Sequence, residues 1–198
     1  MPDRFGTARS AYSFDGVNDY IQVPHVSALN FDSNFTIIAW VKFCTDQSQA
    51  SINGADGPGI VVKGLPFSGY GLVLEKRDKM TEISTGNLSP SISLKDGKWH
   101  LLTIVWRFDP LFTPFPRQLV DFYIDGTLRL GPILETMQPY IHGATAPLHI
   151  GLVQRSTWPV TYADGYFKGG IDDNRLYNRA LSSQEIQSIY RENNWPVR

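Results

Sequence analysis

Gly169-Gly170-Ile171-Asp172-Asp173-Asn174-Arg175-Leu176-Tyr177-Asn178-Arg179-Ala180-Leu181-Ser182-Ser183-Gln184-Glu185-Ile186 reads as a strand that runs straight into a short capped helix. Ser182 and Glu185 have the S-x-x-E spacing of a capping box, in which each side chain satisfies a backbone N–H at the helix start. Ile186, Ile189 and Tyr190 then repeat at i, i+3 and i+4, so one narrow face is apolar. The pattern predicts a helix over 183–192, within a terminal segment 182–193. Upstream of this element the chain reads almost entirely as β.

Residues 1–10 read as an arm or edge segment. Short β runs are expected at 11–15 and 19–23, around Gly16-Val17-Asn18. In Asn34–Phe43 the residues Phe35, Ile37, Ala39, Val41 and Phe43 alternate onto one face. Residues 46–58 are a polar loop, followed by strands at 59–63 and 70–76 and weaker ones at 81–84 and 91–94. Trp99–Trp106 is apolar on nearly every residue, as a strand buried on both faces requires. Residues 109–117, with three prolines, are a loop. Asp125-Gly126 marks a hairpin between 119–124 and 127–130. Strands at 148–152 and 166–178 flank a long loop at 153–165. Many short strands and one terminal helix predict an antiparallel β-sandwich.

Composition narrows the function. The 198 residues suffice for one sizeable core, and no compositional break divides 1–198. Net charge is −1, with no Lys/Arg run longer than two, so no electrostatic footprint for nucleic acid is expected. No apolar run approaches the ~18 residues of a membrane span. Met1-Pro2-Asp3-Arg4-Phe5-Gly6 holds no apolar signal core. That leaves an intracellular protein, an excised module or a structural protein released by lysis. Cys44 is the one cysteine, so no intrachain disulfide can form, and it reads as a small buried residue.

Several blocks together resemble the laminin G-like jelly-roll family of the concanavalin A-like lectin/glucanase superfamily. Phe14-Asp15-Gly16-Val17-Asn18-Asp19-Tyr20-Ile21 resembles its first hairpin. Phe35–Lys42 resembles its F-T-h-x-A-W-h strand, and Gly97-Lys98-Trp99-His100 its G-x-W-H strand. Tyr123-Ile124-Asp125-Gly126, Leu148-His149-Ile150-Gly151 and Gly170–Ile186 complete the order over about residues 12–190. Asn174, where an aliphatic residue is usual, and the long loops at 109–118 and 153–165 depart from it. The resemblance implies an all-β, two-sheet jelly roll with a C-terminal helix, serving as a secreted, cell-surface or virion-associated binding module.

Asp15, Asn18 and Asp19 sit in one turn, and Asp172 lies on the closing strand. If the first and last strands are neighbours, these oxygens converge. Calcium takes six to eight such ligands, and the resemblance implies a structural Ca²⁺ in many relatives. By alternation Asp172 shares a face with Leu176 and points inward, where a carboxylate needs a partner. The alternative is that Asp15, Asn18 and Asp19 only stabilise the turn, while Asp172 pairs with Arg175 or accepts backbone N–H bonds.

Aromatic loop residues Phe67, Tyr70, Trp158 and Tyr162 could stack on the C–H face of a pyranose. Arg155, Asn53 or Asp164 would hydrogen-bond its hydroxyls. The competing reading folds these rings back over the core. Trp40, Trp99 and Trp106 read as core or sheet-face residues, and His100 as a hydrogen-bonded structural residue. His25, His142 and His149 show no metal spacing.

A retaining glycosidase needs two carboxylates about 5–5.5 Å apart, and Glu75, Asp78 and Glu82 are misplaced for one strand face. Tyr166-Phe167-Lys168-Gly169-Gly170 and Tyr140-Ile141-His142 faintly resemble alginate-lyase strands, but the Arg-x-Glu-Leu-type strand is missing. A non-catalytic module binding a glycan or glycoprotein is therefore expected. The alternative is a structural or adhesion domain that binds protein, with the Phe112/Phe115 loop as its apolar patch.

Overall fold

The computed structural model describes residues 1–31, 33–44, 58–64, 69–74, 80–83, 94, 96–109, 117–135, 145–154 and 164–192. Thirteen strands are present among them. They are β1 (Tyr12–Asp15), β2 (Ile21–Val23), β3 (Phe35–Phe43), β4 (Gly59–Lys63), β5 (Tyr70–Leu74), β6 (Met80–Ile83), β7 (Trp99–Asp109), β8 (Arg117–Ile124), β9 (Thr127–Glu135), β10 (Leu148–Ile150), β11 (Leu152–Val153), β12 (Gly165–Tyr166) and β13 (Lys168–Tyr177). One helix, α1 (Ser183–Tyr190), ends the order. A six-stranded sheet runs β1-β13-β3-β7-β8-β9 and a five-stranded sheet β2-β10-β4-β5-β6, antiparallel throughout. This is the antiparallel sandwich that the strand pattern predicts and the jelly roll that the resemblance implies.

The main core lies between the sheets. Phe35, Ile37, Ala39, Val41 and Phe43 all enter it, facing Ile60, Val61, Tyr70, Leu72 and Leu148 from the other sheet. A second apolar cluster covers the outer face of the six-stranded sheet, built on Ile38, Trp40, Trp99 and Leu101. Alpha1 lies over it through Ile186, with Ile189 and Tyr190 partly buried, and Tyr190 stacks on Trp40. Apolar layers on both faces explain why the Trp99–Trp106 run carries so few polar residues. The capping box forms as expected: the Ser182 hydroxyl accepts from the Glu185 N–H, and Glu185 accepts from the Ser182 N–H.

Four expectations need correction. Beta1 and β2 are not a hairpin; the Gly16 turn carries the chain from one sheet to the other. The single strand expected at 148–152 breaks at Gly151, whose φ of +85° only glycine adopts easily. Its Cβ would also lie 2.5 Å from the Phe14 ring. Leu152 and Val153 instead pair with Tyr166 and Gly165 in a small second ladder. Cys44, expected to be buried, is half-buried at the end of β3.

The fourth correction concerns Asp172. The β13–β3 register slips between Asp172 and Arg175, with Asp173 at φ +44°. A bulge inserts residues into one strand and resets its alternation. Asp172 therefore stands opposite Trp40 on the outer face, while Leu176 packs against the main core. The two do not share a face, and Asp172 meets Arg4 of the N-terminal arm.

Candidate functional site

The most developed polar and aromatic patch lies on the outer face of the five-stranded sheet. Beta10 is the second strand there, so His149 pairs with Gln22 on one side and Val62 on the other. Gln22 Oε1 sits 3.2 Å from His149 Nε2, which makes Nε2 the donor. Tyr20, two residues before Gln22, sets its ring edge-to-face on His149 at 5.7 Å. Tyr166 lies 6.4 Å from Tyr20, its ring tilted to it. Tyr20 remains 47% exposed while His149 is 4% exposed. A solvent-facing ring is thus held by packing against a buried polar base.

Beta11 and β12 build the rim of this patch. Val153 packs with Val62 and Val73 of the same sheet, and Asp164 and Tyr166 flank the short ladder. Tyr166, in β12, thereby lies beside Tyr20. Burial holds the His149 imidazole below its ordinary value, against the pull of the Asp164 charge. Burial also raises the Tyr166 phenol, with help from Asp164 and Tyr20. At neutral pH the patch offers neutral rings, an amide and one nearby carboxylate.

A contrasting histidine lies at the Asp125-Gly126 hairpin. His100 faces Asp125 at 2.8 Å through Nδ1 and Asp96 at 3.1 Å through Nε2. Burial pulls its pKa down, but the hydrogen bond and charge of Asp125, then those of Asp96, outweigh it and the net direction is up. A raised folded-state value means its stabilisation is full below about pH 6.5 and fades as pH rises through the folded value. His149 has the opposite sign. Below about pH 6.5 the unfolded chain takes up a proton that the folded site resists, so His149 costs stability on acidification. Imidazole NMR should place the His100 midpoint above that of His149; coincident or reversed midpoints would refute both environments.

Comparison with known proteins follows the architecture. The family model described as the concanavalin A-like lectin/glucanases superfamily, a laminin G type, matches residues 15–187. The chain belongs to this laminin G-like family. No functionally curated protein matches the sequence. Among solved structures, the Trypanosoma rangeli sialidase in complex with sialic acid is similar over 97% of this chain and 29% of its own, at 19% identity and TM-score 0.58. A structure described as the HCR/D W1238A mutant is similar over 96% of this chain and 43% of its own, at 16% identity and TM-score 0.63. The laminin G-like chain thus spans less than half of either protein, and the likeness is one of fold.

The laminin G-like scaffold separates residues that the sequence grouped. Tyr70 is 2% exposed, lies in the main core and donates its hydroxyl to the Leu29 carbonyl at 2.9 Å. Burial drives its pKa upward. Its expected place on a sugar platform is therefore corrected: β5 turns the ring inward. Arg155, Trp158 and Tyr162 lie outside the described residues, as do Asn53, Phe67, Phe112 and Phe115.

The calcium set does not fit one ion. Asp15 pairs with Lys168, four positions from Asp172 and so about 13 Å along the strand, whereas calcium ligands sit within about 2.3–2.6 Å of the metal. Asp15 Oδ1 accepts from Val17 and Asn18, and Asp19 Oδ2 accepts from Asp15. These residues brace the turn, and the backbone bonds hold the Asp15 carboxyl below its usual range. Asp172 is engaged by Arg4 and the Asp173 N–H. Among the described residues no three His, Cys, Asp or Glu side chains gather around a metal-sized space.

Tyr20, Gln22, His149 and Tyr166 had no part in the expected site. The available signal was the period-two spacing of Tyr20 and Gln22. Only the β2–β10 register shows that His149 stands across from them.

Proposed function

We propose that this chain is a non-catalytic carbohydrate-binding module and that the Tyr20–Gln22–His149–Tyr166 patch receives the sugar. The observation that carries this reading is the fixed, half-exposed Tyr20 ring above a buried, neutral His149. A pyranose presents an apolar C–H face that stacks on such a ring, and a ring already held by packing loses little freedom on binding. The Gln22 amide and the Asp164 carboxylate supply directional groups for hydroxyls. Stacking and hydrogen bonding suffice for recognition and call for no pair of carboxylates across a scissile bond.

A glycan array spanning neutral and acidic sugars tests the reading. Selective binding to one sugar class is expected, weakened about tenfold or more in Tyr20→Ala. Tyr20 is exposed enough for this variant to keep its circular dichroism spectrum. Equal binding by Tyr20→Ala would remove the patch from the reading. A blank array with folded protein would favour a protein partner on the exposed Tyr12, Val17 and Val26.

A further inference from the structure

One amide in the Tyr20 patch has a fixed direction, and that direction narrows the ligand. Gln22 and His149 face each other across the β2–β10 ladder, with Gln22 Oε1 3.2 Å from His149 Nε2. Two acceptors cannot share a hydrogen bond, so Nε2 carries the imidazole proton. Burial keeps the ring neutral at pH 7, and a neutral imidazole has a single N–H, so Nδ1 carries none. The amide oxygen of Gln22 is thus committed to the protein. Among the described residues the Gln22 side chain makes no other hydrogen bond. Its NH2 group therefore offers two donors, on an exposed residue, and no acceptor.

An apolar surface stands beside these donors. Tyr20 lies two residues before Gln22, about 7 Å along an extended chain and on the same face. Its half-exposed ring rests on the same imidazole. Ring and amide are anchored on one side chain, so a ligand the size of one sugar meets both. Charge supplies the third constraint. The Asp164 carboxylate acts on both His149 and Tyr166, and among the described residues no Lys or Arg charge opposes it there. Asp19, next to Tyr20, adds a second carboxylate, which accepts from the Asp15 N–H. An anionic ligand would enter against both charges.

We propose that the patch selects the acetamido group of an uncharged N-acetylhexosamine, an inference that rests on the carbohydrate-binding reading above. The Gln22 NH2 group donates to the acetamido carbonyl, and the Tyr20 ring receives the C–H face of the pyranose. A carbonyl oxygen has two lone pairs and no proton, which suits a group that only donates. A sugar hydroxyl in its place is the weaker acceptor and brings a proton that finds no acceptor on this amide.

The test follows the Gln22 side-chain amide of the full, ¹⁵N-labelled chain by NMR during ligand titrations. Methyl glycosides of N-acetylglucosamine and N-acetylgalactosamine are compared with those of glucose and galactose, and with N-acetylneuraminic acid. At least one N-acetylhexosamine should bind about five- to tenfold tighter than its parent hexose, the factor that one net hydrogen bond supplies. N-acetylneuraminic acid should bind no tighter than the hexoses. Gln22→Glu keeps an acceptor for His149 Nε2 but removes both donors. It should bring the N-acetylhexosamine down to the affinity of the hexose and raise the His149 midpoint. Equal binding of hexose and N-acetylhexosamine would overturn the acetamido assignment and leave the Tyr20 stacking site standing. A preference that survives in Gln22→Glu removes Gln22 from the role. Tighter binding of N-acetylneuraminic acid refutes the selection against charge. An Nδ1–H tautomer of His149, read from its imidazole ¹⁵N shifts, turns the amide round and defeats the proposal at its root. Binding of none of these sugars by folded protein brings down this inference and the carbohydrate reading together.

Discussion

Arg4→Ala is expected to destabilise the folded chain by about 2–3 kcal/mol, less than the cost of breaking a fully buried ion pair because its carboxylate partners keep some contact with solvent. The Arg4 side chain is 2% exposed, although it belongs to the N-terminal arm. Its Nη1 reaches Asp173 and, at 3.5 Å, Asp172. Its guanidinium also lies over the Trp40 ring at 4.8 Å and the Phe5 ring at 4.4 Å. Truncation would leave two adjacent carboxylates without this cation and uncover Trp40. Urea unfolding measures the loss, and Arg4→Met should recover part of it by restoring the stem over Trp40. Burial and then the Asp173 charge already push the Asp172 carboxyl upward, with Arg4 among the opposing groups. Without Arg4 the folded state takes a proton more readily, so the loss should be smaller at pH 4 than at pH 7. A loss under about 1 kcal/mol at pH 7 is what an exposed pair gives, and would show that the arm does not dock.

The fold was legible wherever one residue type repeats at one period. Phe35 to Phe43 alternate without interruption, and every inward residue lands in the core. Ser182 and Glu185 announce a helix start through a local contact that needs no tertiary information. Errors occur where a single backbone torsion resets the pattern. The Asp172–Arg175 bulge turns on Asp173 adopting a left-handed φ, which aspartate tolerates better than most residues but does not demand. That one residue reversed the face expected for Asp172 and with it the reason to expect an inward carboxylate. Gly151 acts similarly, splitting one strand into two that join different sheets.

The candidate site was harder to read because its members are far apart in sequence. Gln22 and His149 meet through a strand pairing that alternation cannot specify. Tyr20 reads as part of the first turn, and its exposure depends on which sheet β2 joins. Tyr70 failed in the reverse sense. It is grouped with the loop aromatics although a strand is expected to begin there, and the register with Lys63 turns its ring inward. Aromatic identity alone does not separate a platform from a core ring, because both uses bury most of one face.

The second large effect falls on the cluster that Tyr70 joins. Phe35 is fully buried and stacks on Trp106 at 4.3 Å and on Phe31 at 5.0 Å, with Tyr70 at 5.2 Å. Phe35 and Trp106 come from the six-stranded sheet, and Tyr70 comes from the five-stranded one. The four rings therefore bridge the sandwich, with the Tyr70 hydroxyl tied to Leu29. Phe35→Ala should cost about 3–5 kcal/mol through lost transfer energy and the cavity left behind. Phe35→Leu keeps much of the volume and should cost well under half of that. A double-mutant cycle of Phe35→Leu with Trp106→Leu should give a coupling of about 0.5–1.5 kcal/mol, since these rings touch directly. Tyr70→Phe should lose only about 1 kcal/mol, the value of one hydrogen bond to the backbone. Denaturant unfolding by circular dichroism reads all four. If Phe35→Ala unfolds within 1 kcal/mol of the parent, the rings do not bridge the sheets, and the inward placement of Tyr70 falls with them.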